Sequence, residues 1–247
     1  MHRYFIKLAY NGSGYHGWQV QDNARSVQQE LNEKLSLTLN GEISLTGCGR
    51  TDTGVHAREF YAHFDVQQAL DTPADMAFRL NAFLPDDIVI YEIFEVPQDF
   101  HARFDALSRT YKYYISRQKD PFSTGLSYYY HAPLDVSKMK EACSFLLEYT
   151  DFTSFSKLHT QTKTNNCRIF EAYWEEHGHM LVFTIKADRF LRNMVRAVVG
   201  TLLEIGKGKL QVQDMRRIIE AKDRSQAGFS VPAEGLFLEK VEYDFRF

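Results

Sequence analysis

The first ten residues alternate. Tyr4, Ile6, Leu8 and Tyr10 fall on one face, and Phe5, Lys7 and Ala9 on the other, which is the two-residue period of a strand. The period then changes. Val27, Leu31 and Leu35 recur every four residues behind Ser26-Val27-Gln28-Gln29, a capping box, and Asn40-Gly41 closes the predicted helix. Two strands are predicted near 43–47 and 60–65. Thr72-Pro73 opens a second helix with proline at its first position, Met76, Leu80, Phe83 and Leu84 line its inner face, and Pro85 stops it. A strand from Ile88 to Val96 follows. The order β-α-β-β-α-β is the split βαβ signature.

The second half repeats the pattern. Thr110 to Ser116 reads as a strand. Asp135 caps a helix that turns Val136, Met139, Cys143, Leu146 and Leu147 inward. Ile169 to Glu175 and Met180 to Lys186 form a hairpin about His177-Gly178. A helix is predicted from Phe190 to Ile205, stopped by Gly206. A further helix carries Met215, Ile218 and Ile219, and Leu236 to Phe245 is the last strand. The expected fold class is α+β. It comprises two similar split βαβ (ferredoxin-like) halves, with abutting antiparallel sheets and a central active-site cleft. The halves meet near residues 97–108, and the division is drawn at 1–103 and 104–247.

Composition narrows the function classes. The chain has 247 residues, 44% of them hydrophobic, enough for a sizeable core. No apolar run reaches 18 residues, so no membrane span is expected. The N-terminus lacks a signal peptide's apolar segment. Cys48, Cys143 and Cys167 form no CxxC pair, so neither a zinc site nor a disulfide framework is expected. A reducing cytoplasm is the expected compartment. The net charge of −3 argues weakly against nucleic acid. Basic residues nevertheless cluster: Arg50, His56 and Arg58; Lys157, His159, Lys163 and Arg168; Arg189, Arg192 and Arg196. Each cluster taken alone reads first as an ordinary solvated face.

The candidate chemistry lies in Gly47-Cys48-Gly49-Arg50-Thr51-Asp52-Thr53-Gly54-Val55-His56-Ala57. Glycines permit positive φ and close backbone approach. Arg50 two residues before Asp52 favours the ionised carboxylate. A well-satisfied structural turn would show the same composition. The stretch Gly-Arg-Thr-Asp-x-Gly-Val-His-Ala resembles the catalytic motif of the tRNA pseudouridine synthase A (TruA) family. Four further blocks resemble that family in order: Tyr10 to Gln19, His101 to Ala106, Phe190 to Arg196, and Phe229 to Leu238. Asn11 and Cys48 depart conservatively from it.

The resemblance implies roles. Asp52 is the nucleophile. Tyr111, in Arg109-Thr110-Tyr111-Lys112-Tyr113, is the base-stacking residue, although strand aromatics usually just pack. Arg196, the last residue of Phe190-Leu191-Arg192-Asn193-Met194-Val195-Arg196, pairs with Asp52. On its own spacing that block reads as an amphipathic helix with Arg192 and Arg196 neighbours on one face. Arg50, Arg58 and Leu191 join Tyr111 and Arg196 as substrate-binding residues. Arg58 would hold phosphate or the displaced nucleotide, and Arg103 would contact RNA or anchor the crossover. The long loop 150–167 combines Lys157, His159 and Lys163 with Phe152 and Phe155, which suits RNA and equally suits a surface loop on buried phenylalanine anchors.

The expected activity is isomerisation of uridine to pseudouridine in the anticodon stem-loop of tRNA, at positions 38, 39 and 40. The resemblance implies no metal, no organic cofactor and a homodimer sharing a tRNA. The rivals are a non-catalytic RNA-binding or tRNA-chaperone protein on the same fold and a metal-dependent nuclease. The nuclease would need clustered acids near Asp52, and the adjacent loop offers none.

Overall fold

The computed structural model describes residues 1–157 and 164–246 and divides into two compact units, Met1–Leu107 with Phe237–Phe247 and Ser108–Leu236. The chain is α+β.

In the first unit the elements run β1 (His2–Tyr10), α1 (Val27–Leu39), β2 (Thr46–Gly47), β3 (His56–Val66), α2 (Pro73–Asn81) and β4 (Ile88–Val96). β1 pairs antiparallel with both β3 and β4, and β2 pairs antiparallel with β3. The sheet order β4-β1-β3-β2 is that of a split βαβ unit. The caps form where the sequence places them. Ser26 Oγ accepts from Gln29 N–H at 3.3 Å, and Asn40 takes the left-handed conformation at φ 50°. The Gln29 side chain donates to Glu33 instead of reaching back, so the capping box is half made. Val27, Leu31 and Leu35 are buried as expected.

In the second unit the elements are β5 (Ser108–Ser116), β6 (Tyr128–Tyr129), α3 (Val136–Leu146), β7 (Ile169–His177), β8 (Met180–Ala187), α4 (Met194–Gly206) and α5 (Asp214–Ala221). β8 pairs antiparallel with β5 and β7, and Gly178 turns the hairpin at φ 61°. The last strand, β9 (Leu236–Glu242), runs parallel to β3 in the first unit, with His56 opposite Phe237 and Ala57 opposite Leu238.

Several sequence expectations are corrected, each for a local reason. The strand expected at 43–47 shrinks to two residues. Side chains of α1 satisfy the backbone before it: Gln28 Nε2 donates to Leu45 O, Asn32 Oδ1 accepts from Leu45 N–H and Ser36 Oγ from Ile43 N–H, at 2.6, 3.0 and 2.9 Å. For Phe5, on which the alternation made no burial claim, Phe100, Tyr243 and Phe245 cover its face with centroids 5.3–6.2 Å from its ring. Phe83 is 68% exposed rather than inward, since α2 ends at Asn81. Leu147 likewise falls one residue beyond α3 and is exposed.

The largest correction concerns α4. It starts at Met194, not Phe190, because Asn193 adopts φ 67° and breaks helical continuation. Arg192 therefore lies outside the helix and is not an i,i+4 partner of Arg196. The helix is buried nearly all round; only Arg196 and Glu204 escape burial.

Candidate functional site

Asp52 sits in the first unit, half-buried, on the turn between β2 and β3. Segment 10–18, just after β1, grips that turn. Tyr10 and Thr51 share a side-chain hydrogen bond of 2.8 Å. Trp18 N–H donates to Thr51 O at 3.4 Å, and Gly54 N–H donates to Tyr15 O at 3.3 Å. Within the turn, Val55 N–H donates to Asp52 O at 3.1 Å, and Gly54 takes φ 76°. His56 is buried, and its Nδ1 accepts from Gly12 N–H at 3.1 Å, so that nitrogen carries no proton.

Two glycines make this interlock possible. A Cβ on Gly12 would sit 2.0 Å from Val55 O. One on Gly17, whose φ is 89°, would sit 2.3 Å from Thr51 O. Below them Trp18 stacks on Phe60 with centroids 4.1 Å apart. The sequence pointed to segments 10–19 and 47–57 separately. Their mutual clamp, and the part His56 plays in it, were not legible.

The arginines near Asp52 differ. Arg50 lies exposed on the same turn. Arg58 lies on β3 and reaches toward β9. Its guanidinium is 5.2 Å from the Phe237 ring centroid, and its Nε is 3.4 Å from Glu239 Oε2. Phe237 also stacks on His56, 4.4 Å between centroids.

A second buried histidine holds another expected block. His63 Nδ1 accepts from Ala102 N–H at 3.1 Å, and the His101 ring stands edge-on to it at 4.7 Å. Burial first, then the positive field of Arg3 and His101, brings the His63 pKa down to about 4 from 6.5, against a smaller opposing pull from Asp65. Above pH 6.5 the ring is neutral folded or unfolded. Below 6.5 the unfolded chain takes the proton first, so stability is lost progressively as pH falls toward 4. The expected loss is on the order of 3 kcal/mol across that window. Urea midpoints between pH 7.5 and 4.5 should fall for the wild type and flatten in His63→Gln. An identical slope in both would refute the assignment.

In the second unit Tyr111 on β5 meets Phe190 edge-on, ring centroids 5.1 Å apart at 88°. Leu191, the next residue, is buried. The structure thus brings Tyr111 beside the 190–196 block. Arg196, on the first turn of α4, is half-buried, and its Nε donates to Val231 O at 2.7 Å. Val231 N–H in turn donates to Arg196 O at 3.3 Å. Asn193 Nδ2 and Arg224 both donate to Ser230 Oγ, at 2.6 and 3.0 Å. The closing block of the sequence is therefore the mount of Arg196, a relation no spacing revealed. Tyr113, on the same strand as Tyr111, is buried, and its hydroxyl donates to Pro232 O at 2.8 Å.

The loop that begins at 150 resolves one alternative. Phe152 and Phe155 are fully buried anchors rather than stacking surfaces. Lys157 N–H donates to Arg192 O at 3.1 Å. His159 and Lys163 lie outside the described residues. Among the described residues, no group of three or more His, Cys, Asp or Glu is placed to share a metal ion. No helix among them is long and apolar enough to cross a membrane.

A family model described as tRNA pseudouridine synthase matches residues 7–105 and 148–244. The matched segments take in the Asp52 turn and the Arg196 helix, while Tyr111 lies between them. The chain is 56% identical over 248 residues to the tRNA pseudouridine synthase A of Porphyromonas gingivalis, covering 98% of each. It is 53% identical over 243 residues to that of Parabacteroides distasonis, covering 98% of this chain and 96% of the relative. The corresponding protein of Clostridium acetobutylicum is 42% identical over 241 residues, covering 96% and 98%.

Proposed function

The chain belongs to the tRNA pseudouridine synthase family and is an isomerase acting on tRNA, and from that premise we propose that it converts uridines 38, 39 and 40 of the anticodon stem-loop, with Asp52 as the nucleophile. One observation carries the assignment to Asp52. Its turn is held on both sides by hydrogen bonds from segment 10–18. A carboxylate on so constrained a backbone is held for attack without loss of orientation.

The reaction is redox-neutral. The glycosidic C–N bond breaks, the uracil turns, and C5 bonds to the ribose carbon. The C5 hydrogen leaves as a proton, and N1 takes one up. Asp52 attacks the nucleotide or assists glycal formation. The target must first leave its stack. In the proposed site Tyr111 stacks on the extruded base with Leu191 beside it. Arg196 is the cation paired with Asp52, on the strength of the family resemblance. Arg50 and Arg58 hold phosphate or the displaced nucleotide. A cytoplasmic homodimer completes the proposal. Two copies would add their basic patches into one RNA footprint, which suits a chain of net charge −3; a monomer by light scattering at working concentration would count against it.

The test is an unmodified tRNA transcript incubated with the enzyme, with pseudouridine mapped by carbodiimide adduct and primer extension. Stops at 38–40 are expected. Stops confined to other arms would overturn the site assignment. Gel-shift binding with no stops on any tRNA would favour the RNA-binding or tRNA-chaperone reading instead.

A further inference from the structure

Two basic runs that stand apart in the sequence meet at one corner of the second unit. Asp188, just after β8, holds them together. Its Oδ1 accepts from the backbone N–H of Arg168 at 2.8 Å and from that of Arg189 at 2.7 Å, and its own N–H donates to Arg168 O at 3.1 Å. Its carbonyl accepts from Arg109 Nη1 at 2.8 Å, which ties in the start of β5. Arg168 and Arg189 thus hold this junction with backbone atoms. The Arg168 side chain is exposed, and its guanidinium lies over the Phe170 ring, 5.6 Å from the centroid. Phe170 is 41% exposed at the start of β7, where the register shifts between Ile169 and Glu171. Such a bulge re-aims the side chain it carries. The Cys167 thiol, pushed up to about 12 by burial, feels the Arg189 charge as the first opposing influence, so that charge lies close to the neighbour of Arg168.

A half-exposed phenylalanine leaves apolar surface in water. A guanidinium over such a ring presents a planar cation and an apolar face together, the combination that takes a phosphate and an unstacked base or ribose from RNA. The acids around the corner are engaged. Asp188 Oδ1 accepts two backbone N–H groups, and Asp151 accepts from the Thr153 hydroxyl at 2.6 Å and pairs with Lys222 at 2.9 Å. The corner runs directly into Phe190, the next residue, whose ring meets Tyr111 edge-on at 5.1 Å. An RNA strand that brings a base to Tyr111 therefore carries its phosphates past Arg189 and Arg168. A backbone already fixed in the free protein loses little further freedom on binding.

We propose that the corner built on Asp188 is a tRNA-contacting surface beside Tyr111, in which Arg168 and Arg189 take backbone phosphates next to the extruded nucleotide and Phe170 offers its ring to a neighbouring base or ribose. The proposal rests on the tRNA reading above. Asp188 is the positioning residue that aims both arginines from one carboxylate oxygen.

The test uses the full-length chain and an unmodified tRNA transcript. Filter binding is measured over a salt series for wild type, Arg168→Ala, Arg189→Ala, Arg168→Lys and Phe170→Ala, with steady-state pseudouridine formation on the same RNA. Each arginine-to-alanine change is expected to weaken binding about five- to tenfold and to lower the slope of log affinity against log salt by about one. The loss should appear in KM, with kcat changed by less than about twofold. Arg168→Lys should restore the slope. Phe170→Ala should weaken binding about fivefold with the slope unchanged. Arg79→Ala, which removes an exposed arginine from α2, should leave affinity and slope as in the wild type. Wild-type affinity and slope in both arginine variants would overturn the proposal. An equal loss of slope in Arg79→Ala would overturn it too, since bulk charge would then suffice, and so would a fall in kcat at unchanged KM. Should the wild type bind the transcript yet form no pseudouridine, the catalytic reading fails, while the binding comparison still decides the role of the corner.

Discussion

Replacing Asp52 by Asn is expected to lower pseudouridine formation by about a thousandfold or more. The amide is nearly isosteric with the carboxylate but cannot supply its charge or act as a nucleophile. The turn should survive the change. Bonds through the backbone of Thr51, Asp52 and Gly54 and through the Thr51 hydroxyl remain in the variant. Melting temperature and tRNA affinity should therefore stay near wild type while single-turnover chemistry disappears. The discriminating measurement is a single-turnover assay at saturating enzyme beside a gel shift on the same transcript. Turnover retained to within tenfold would remove Asp52 from the chemistry and make the glycine-rich turn a structural one.

Gly200→Ala is the second large effect, and it runs against helix propensity. Alanine in a helix interior is ordinarily favoured over glycine by about 1 kcal/mol. At position 200, in the middle of α4, a Cβ would lie 1.7 Å from Phe229 O and 2.9 Å from Phe229 C. Both are backbone atoms and cannot rotate away. The closing block must move off the helix, at an expected cost of about 3 kcal/mol. That block also supplies Val231 O, the acceptor for Arg196 Nε at 2.7 Å. Loss of stability should therefore be accompanied by loss of activity, beyond the fraction unfolded. Gly41→Ala is the control, since a Cβ there meets only Leu39 O at 3.9 Å, and it should change stability by less than about 0.5 kcal/mol. Denaturant unfolding of both variants decides the matter. A Gly200→Ala midpoint equal to wild type would mean that the closing block yields without cost.

The elements that could be read from the chain are those whose signals are local. Ser26, Asn40, Thr72-Pro73 and Asp135 mark helix boundaries because a cap is a bond or a steric limit within three residues of itself. The hairpin turn at Gly178 needed only a residue that tolerates positive φ. The local pattern was incomplete where a distant group acted on it. Phe5 is buried by rings from Phe100, Tyr243 and Phe245. The stretch before β2 is stripped of strand pairing by Gln28, Asn32 and Ser36. The start of α4 was misplaced because Asn193 can adopt a left-handed conformation and residue type alone does not say that it will.

The candidate site divides the same way. Sequence by itself supplied the candidates that the proposed function uses: Asp52 with Arg50 in a glycine-rich turn, Tyr111 in its strand, and Arg196 at the end of its block. Side-chain chemistry and motif spacing are written in the chain. Only the tertiary structure decided what holds them. Segment 10–18 locks the Asp52 turn through His56 Nδ1 and the clefts left by Gly12 and Gly17. The closing block receives Arg196. The turn bearing Arg103 hangs from His63 and Tyr243. Each of these holds joins residues 34 to 141 positions apart. Hydrogen bonds and steric gaps over such separations exist only once the sheet has brought the segments together, so no periodicity along the chain records them.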